Sequence, residues 1–330
     1  MSTGALALHE GVLFVGRYTS GGEVLVFDLD GRQLEAGFHL PPMQGASGVA
    51  LAGLAVDSDR KLWMADVQSG RVRCANLFGR EGADFAPAPG KLEAPMSVLL
   101  SASSAAAPIG IALAETSKWT GVFVATSGKS VGAVGLYLAN GHRLLVLRSL
   151  GNPKAPFDRI SGLTSFRNIL WVVEAGARRI QVFRDGEFHF CFDGGRLSDR
   201  ALEPEGIPRA LAPVGDGRVV VVVEESTEGC ASANTGLFLV SERGKPLCQL
   251  AATGTEEGRI SHPVDVVVEE IRPWPHESEA EVDRRRRILV LDRDGDRIQV
   301  FNMAGRCYGA FPEFEECQKS RVPLEKPLQS

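Results

Sequence analysis

The pentapeptide Arg-Ile-Gln-Val-Phe occurs twice, at residues 179–183 and 297–301, each time behind a short apolar run that ends in an acid. Those runs are Leu170-Trp171-Val172-Val173-Glu174 and Ile288-Leu289-Val290-Leu291-Asp292. A third version reads Leu62-Trp63-Met64-Ala65-Asp66, then Arg71-Val72-Arg73-Cys74, and the acid-to-arginine spacing is five residues in all three. A repeated unit of this size cannot bury its apolar face alone and must stack on its neighbours. An internal repeat therefore limits the fold more than composition does.

Each unit divides into four short segments. Strand a is apolar and innermost, strand b ends at the acid, strand c starts at the arginine, and strand d follows a glycine-bearing turn. The turns are Asp30-Gly31, Asn140-Gly141, Asp185-Gly186, Arg243-Gly244 and Ala304-Gly305. Unit 1 shows the pattern compactly, with strands over 5–8, 12–15, 24–27 and 34–38. Six units fall at 4–41, 42–88, 92–151, 157–194, 204–252 and 259–312, followed by a C-terminal tail over 313–330. No helix-length amphipathic period interrupts them. The prediction is all-β: one domain over 1–312, a six-bladed β-propeller of four-stranded antiparallel blades. Five or seven blades stay open, because 96–100, 109–114 and 122–125 offer three strands where two are needed.

The segments Gly90-Lys91-Leu92-Glu93-Ala94-Pro95-Met96-Ser97-Val98 and Ile260-Ser261-His262-Pro263-Val264-Asp265-Val266 resemble the opening of an NHL repeat. Leu289-Val290-Leu291-Asp292, Arg297-Ile298-Gln299-Val300-Phe301 and Ala304-Gly305 resemble its remainder. The likeness is strong in units 2, 4 and 6. It weakens in unit 3, where Thr126 replaces the acid, and in unit 5, where an insertion over 225–236 follows Glu224. The resemblance implies a propeller that serves as a binding scaffold. Some NHL propellers bind RNA, and many follow RING and B-box modules in ubiquitin ligases.

The strand-b ends supply Arg17, Asp66, Thr126, Glu174, Glu224 and Asp292. A ring of acids near one face invites a metal or catalytic reading. The competing reading is structural: each acid closes its b–c hairpin and pairs with the arginine five residues on. Asp66/Arg71, Glu174/Arg179 and Asp292/Arg297 fit the second, and unit 1 exchanges the signs as Arg17/Glu23, which a metal site would not tolerate. The structural reading is adopted.

The formal net charge of −5 argues against a chain built to neutralise phosphates. Residues 269–287 hold six acids and five arginines, ending in Arg284-Arg285-Arg286-Arg287. Their near-neutral sum reads as a solvated a–b loop. The six cysteines, without C-x-x-C pairs or a signal peptide ahead of them, read as reduced, mostly buried thiols in a cytoplasmic chain. No apolar stretch spans a bilayer. Nucleophile-elbow, dinucleotide, P-loop and zincin motifs are missing, as is the asparagine-rich axial set of lactonase propellers. Only strand-a starts reach the channel axis, namely Ser47, Ser97, Ser161, Pro208 and His262, with no carboxylate among them. The expectation is a non-enzymatic scaffold that binds another protein through its loop face, without cofactor or metal. His262, Arg17, Thr126 and Glu224 are its candidate binding residues. Long connections over 79–94, 194–205 and 225–236 would widen that face. A small-molecule ligand is the lesser option and nucleic acid is not expected. Alternatives are a metal-assisted hydrolase or lyase of the lactonase-like class at the channel mouth, and an RNA-binding NHL propeller.

Overall fold

A computed structural model of the chain describes residues 4–17, 22–34, 37–42, 48–77, 79, 107–115, 120–127, 132–138, 140–152, 155–197, 205–226, 234–292 and 297–311. Its strands form six antiparallel sheets. Blade 1 is β1 (Gly4–His9), β2 (Val12–Arg17), β3 (Glu23–Asp28) and β4 (Phe38–His39). Blade 2 has three described strands, β5 (Leu51–Val56), β6 (Lys61–Asp66) and β7 (Arg71–Asn76). Blade 3 is β8 (Ala107–Glu115), β9 (Thr120–Ser127), β10 (Gly132–Leu138) and β11 (Arg143–Leu147). Blade 4 follows as β12 (Ile160–Phe166), β13 (Ile169–Glu174), β14 (Arg179–Arg184) and β15 (Glu187–Asp193). Blade 5 is β16 (Ile207–Pro213), β17 (Arg218–Glu224), β18 (Gly236–Ser241) and β19 (Pro246–Ala252). Blade 6 is β20 (Pro263–Val268), β21 (Arg287–Asp292), β22 (Arg297–Asn302) and β23 (Cys307–Ala310).

In every sheet the neighbours are consecutive in sequence, so each blade comes from one contiguous stretch. The inner strands β1, β5, β8, β12, β16 and β20 stand side by side, and β20 returns to β1 to close the ring. Six blades are therefore formed. Residues 96–100, the source of the alternative count, lie outside the described residues.

Six apolar clusters hold the ring, one at each blade junction. Alternating side chains of one strand serve two junctions: Val172 packs between blades 3 and 4, Val173 between blades 4 and 5. A strand buried on both faces must read as a continuous apolar run, which is why Val219-Val220-Val221-Val222-Val223 carries no polar alternation.

Two expectations are corrected here. Residues 269–286 are not a plain solvated loop: they contain α1 (Glu279–Arg285), whose start is fixed by Glu281 accepting the Ser278 N–H at 2.8 Å and its hydroxyl at 2.7 Å. The helix is too short to show an amphipathic period, so the sequence hides it. Nor are the described thiols mostly buried. Cys74 is buried and Cys307 half-buried, but Cys191 and Cys248 are exposed on the outer strands β15 and β19.

Candidate functional site

The strand-b acids share one structural task in blades 2, 4 and 6. Each accepts backbone N–H groups from the segment that leads into its own inner strand: Ala50 to Asp66 at 3.1 Å, Asp158 to Glu174 at 2.8 Å, His262 to Asp292 at 2.9 Å. All three acids are fully buried. Arg179 pairs with Glu174 at 2.5 Å and Arg297 with Asp292 at 3.4 Å. The hydrogen bond to Glu174 raises the Arg179 pKa and outweighs the partial burial, which acts to lower it.

A second partner comes from the third residue of strand c. Gln181 donates its amide to Glu174 and Gln299 to Asp292 at 3.3 Å. In blade 2 that position is Arg73, only 1% exposed, 3.9 Å from Asp66 and bonded to the Pro41 carbonyl at 2.8 Å. The expected Asp66–Arg71 pair gives way to this one. Asp66 is already occupied by Gln68 N–H at 3.1 Å and the Ser69 hydroxyl at 2.7 Å, while Arg71 Nε is buried without a partner. The glutamine in the repeated pentapeptide was the sequence signal for this arrangement, and the acid–arginine spacing drew attention away from it.

Blade 5 departs from the pattern. No arginine opens β18, and Glu224 instead receives Arg209, which sits at a bulge in β16, and stands 3.6 Å from His262 Nε2 of blade 6. Arg209 and His262 keep 38% and 35% of their side chains exposed, so the cluster opens to solvent at the mouth of the channel. Beside it, the Ser161 hydroxyl donates to the Pro208 carbonyl at 2.9 Å, tying blade 4 to blade 5. Of the four residues singled out from sequence, the structure brings His262 and Glu224 together. Thr126 is buried in its own hairpin, 3.4 Å from the Ala133 carbonyl, and does not join them. Arg17 ends β2 opposite Glu23, and its side chain lies outside the described residues. Residues 80–94, 198–204 and 227–233 of the long connections also lie outside them. Arg209 was missed because a lone arginine in an apolar strand carries no motif.

Past the strand-a starts, the inner strand of blade 6 carries a carboxylate. Asp265 on β20 faces Leu291, the residue before the terminal acid of β21. The same register position holds Ala5, Gly53, Gly110, Gly162 and Pro208 in the other blades. At Gly162 a Cβ would lie 2.9 Å from the Arg209 carbonyl, so small residues there let inner strands approach closely. Between blades 6 and 1, Asp265 accepts the Leu6 N–H at 2.8 Å and the Val266 N–H at 2.8 Å. Its exposure is intermediate, and desolvation between the two blades pushes its carboxyl up to about 6 against those two bonds.

No protein-family model and no curated protein sequence matches the chain. Among solved structures, it is similar to a chain of the nidogen/laminin complex, with 15% identity over 93% of this chain and 95% of that one, at a TM-score of 0.57. A streptogramin B lyase matches with 13% identity, 93% and 81% coverage and a TM-score of 0.56. U3-55K matches with 10% identity, 92% and 77% coverage and a TM-score of 0.54. These likenesses establish the propeller fold alone, and they span both binding and lyase propellers.

Proposed function

We propose that this propeller is a non-enzymatic binding scaffold of the NHL type that takes another protein on the face where its inner strands begin. Arg209, Glu224 and His262 stand at the centre of that face. The observation that carries the reading is the exception in blade 5. Where blades 2, 4 and 6 bury the strand-b acid against backbone N–H groups, blade 5 turns it toward two half-exposed cationic-type side chains from different strands. Partly desolvated charged groups at the centre of a rim suit a partner that brings its own polar anchor. The thiols of Cys191, Cys248 and Cys307 agree with a reducing, cytoplasmic setting. Among the described residues, no helix is long and apolar enough to cross a membrane. A photo-crosslinking residue at Ser261 of the full chain, compared with one at His189 on the outer strand of blade 4, tests the proposal. A partner captured at Ser261, lost on Arg209→Glu and not captured at His189, is expected. Equal capture at both positions would sink it.

One observation favours a second reading. A histidine held by a carboxylate at 3.6 Å is the minimum apparatus for general-base chemistry, and such contacts tighten when substrate arrives. A lactone and ester screen on the purified chain, with metal analysis alongside, decides between the two. Turnover abolished by His262→Ala, with a bell-shaped pH profile in the parent, would favour the enzyme.

A further inference from the structure

The a–b connections lie on the face opposite the mouth. Those of blades 1 to 5 are no longer than four residues, whereas blade 6 inserts residues 269–286 between β20 and β21. Connections of that length inside a tightly built domain are usually functional. This one is also rigidly held. Arg286, only 7% exposed, bonds Asp283 at 3.0 Å and Asp216 of blade 5 at 3.1 Å. Arg218 of β17 clamps Asp283 with both terminal nitrogens, at 2.8 and 2.9 Å. The insert is thereby fixed to two blades, and its outer side is left to solvent.

On that outer side stand Trp274 and Tyr308, 64% and 51% exposed, among the largest exposed apolar surfaces of the described residues. The Arg285 guanidinium lies 4.1 Å from the Trp274 ring centroid and forms a two-pronged pair with Glu277 at 2.7 and 2.8 Å, so both are set in place before any ligand arrives. The Tyr308 hydroxyl donates to the Arg284 carbonyl at 3.2 Å. Arg284 and Arg285 form a ridge between two hollows. One, of about 640 Å³, has Leu29, Ile271, Val300 and Phe311 among its lining; the other, of about 450 Å³, is walled by Trp274 and Pro275.

Charge selects the occupant. Three arginines (Arg284, Arg285, Arg287) and two acids (Asp30, Glu269) line the larger hollow, which is net positive on a chain of net charge −5, whereas Glu277 and Glu281 stand on the smaller hollow's side of the ridge. Arg285 is matched by Glu277 and Arg287 by Asp30 at 2.9 Å, while Arg284 is exposed and makes no ion pair within 4 Å among the described residues, feeling Glu281 only through its field. A single carboxylate can therefore settle on Arg284 while a neighbouring apolar side chain enters the hollow. A run of nucleic-acid phosphates would have to pass Asp30 and Glu269 in the same wall. We infer that this insert is a docking surface for an acidic peptide segment of a partner protein, with a carboxylate on Arg284 and an aromatic or leucine side chain beside it. Trp, Tyr and Arg are the residue types that dominate binding at such centres. The surface lies at the far end of the channel from Arg209, Glu224 and His262, so it stands independently of the proposed mouth site.

The test uses the full chain and fluorescein-labelled twelve-residue peptides that carry one Phe flanked by Glu, with Glu→Gln, Glu→Lys and Phe→Ala versions, read by fluorescence anisotropy. The Glu/Phe peptide should bind at least about tenfold more tightly than each of the other three, and more weakly as salt rises. Arg284→Glu should remove that preference while leaving the melting temperature unchanged, because Arg284 is exposed and unpaired; Trp274→Ala should weaken binding by a smaller factor. Binding of the Lys peptide as tight as the Glu peptide, tighter binding of an oligouridine, or absence of binding by every peptide would each overturn the inference. So would self-association of the chain that Arg284→Glu abolishes, which would make a second copy the occupant.

Discussion

Glu174 and Glu224 occupy the same place at the end of strand b, one blade apart, and meet different fates. Glu174 is fully buried, bonded to the Asp158 N–H, Arg179 and Gln181, and all its partners belong to its own blade or to the segment entering it. Glu224 has no strand-c arginine or glutamine to meet, so its carboxylate reaches Arg209 and His262 at the solvent-facing mouth. The same chemical group at the same register position is a fastener within one blade and, still buried itself, the partner of two half-exposed side chains at the mouth in the next. The difference lies in what strand c and its approach supply: Arg179 and Gln181 in blade 4 against Thr235 and Leu237 at the same register positions in blade 5. Asp265 adds a third outcome, a carboxylate inside the ring held by two backbone N–H groups, with no charged partner acting on it among the described residues.

The largest effect should come from the fastener. Glu174→Ala leaves the Arg179 charge and the Gln181 amide without their acceptor in a buried setting, and should destabilise the fold by about 3 kcal/mol. Chemical denaturation of the variant measures it, and a loss well under 1 kcal/mol would break the distinction between the two acids.

Next in size is Asp265, with the opposite sign. Its carboxyl is raised to about 6 in the folded chain, above the unstrained 3.8, so the folded state holds the proton more tightly than the unfolded one between those values. Stability from this group is therefore greatest below about pH 4 and declines as pH rises toward 6. Asp265→Asn removes the ionisation while keeping an acceptor for the Leu6 N–H. It should stabilise the chain at pH 7.5 by about 2 kcal/mol and flatten the pH dependence of the melting temperature between pH 4 and 6. Destabilisation at pH 7.5 would mean that the charged form is the one the ring requires.

The smallest effect on stability belongs to Glu224→Gln. Glu224 is buried, but its partner Arg209 is 38% exposed and stays solvated, so the cost should be about 1 kcal/mol and well below that of Glu174→Ala. Capture of a partner at Ser261 should nevertheless fall away. A Glu224→Gln chain as unstable as Glu174→Ala, with capture intact, would show that blade 5 uses its acid as a fastener too.

Much of this was legible in the residues. The recurring apolar runs, the glycine turns and the acid–arginine spacing led to six blades of contiguous sequence, because each signal is local to one hairpin. His262 and Glu224 were legible as candidates for the same reason: one precedes a strand a, the other ends a strand b. Their contact was not, because it joins strand ends from different blades, 38 positions apart in the chain. Arg209 and Asp265 each sit alone in an apolar strand, and only the ring tells which junction they enter. Arg73 replaced Arg71 as the partner of Asp66 because burial, not spacing, decides which cation a filled carboxylate can still reach. The charged run at 284–287 balanced on paper, but Glu277, Asp283 of α1 and the acids of blades 1 and 5 paired with three of its arginines and left Arg284 exposed. The sequence by itself determined the strand pattern, since period, turn and apolar run act over a few residues. Only the closed ring decided which charges are fastened and which are presented, because that depends on contacts between blades that no local pattern encodes.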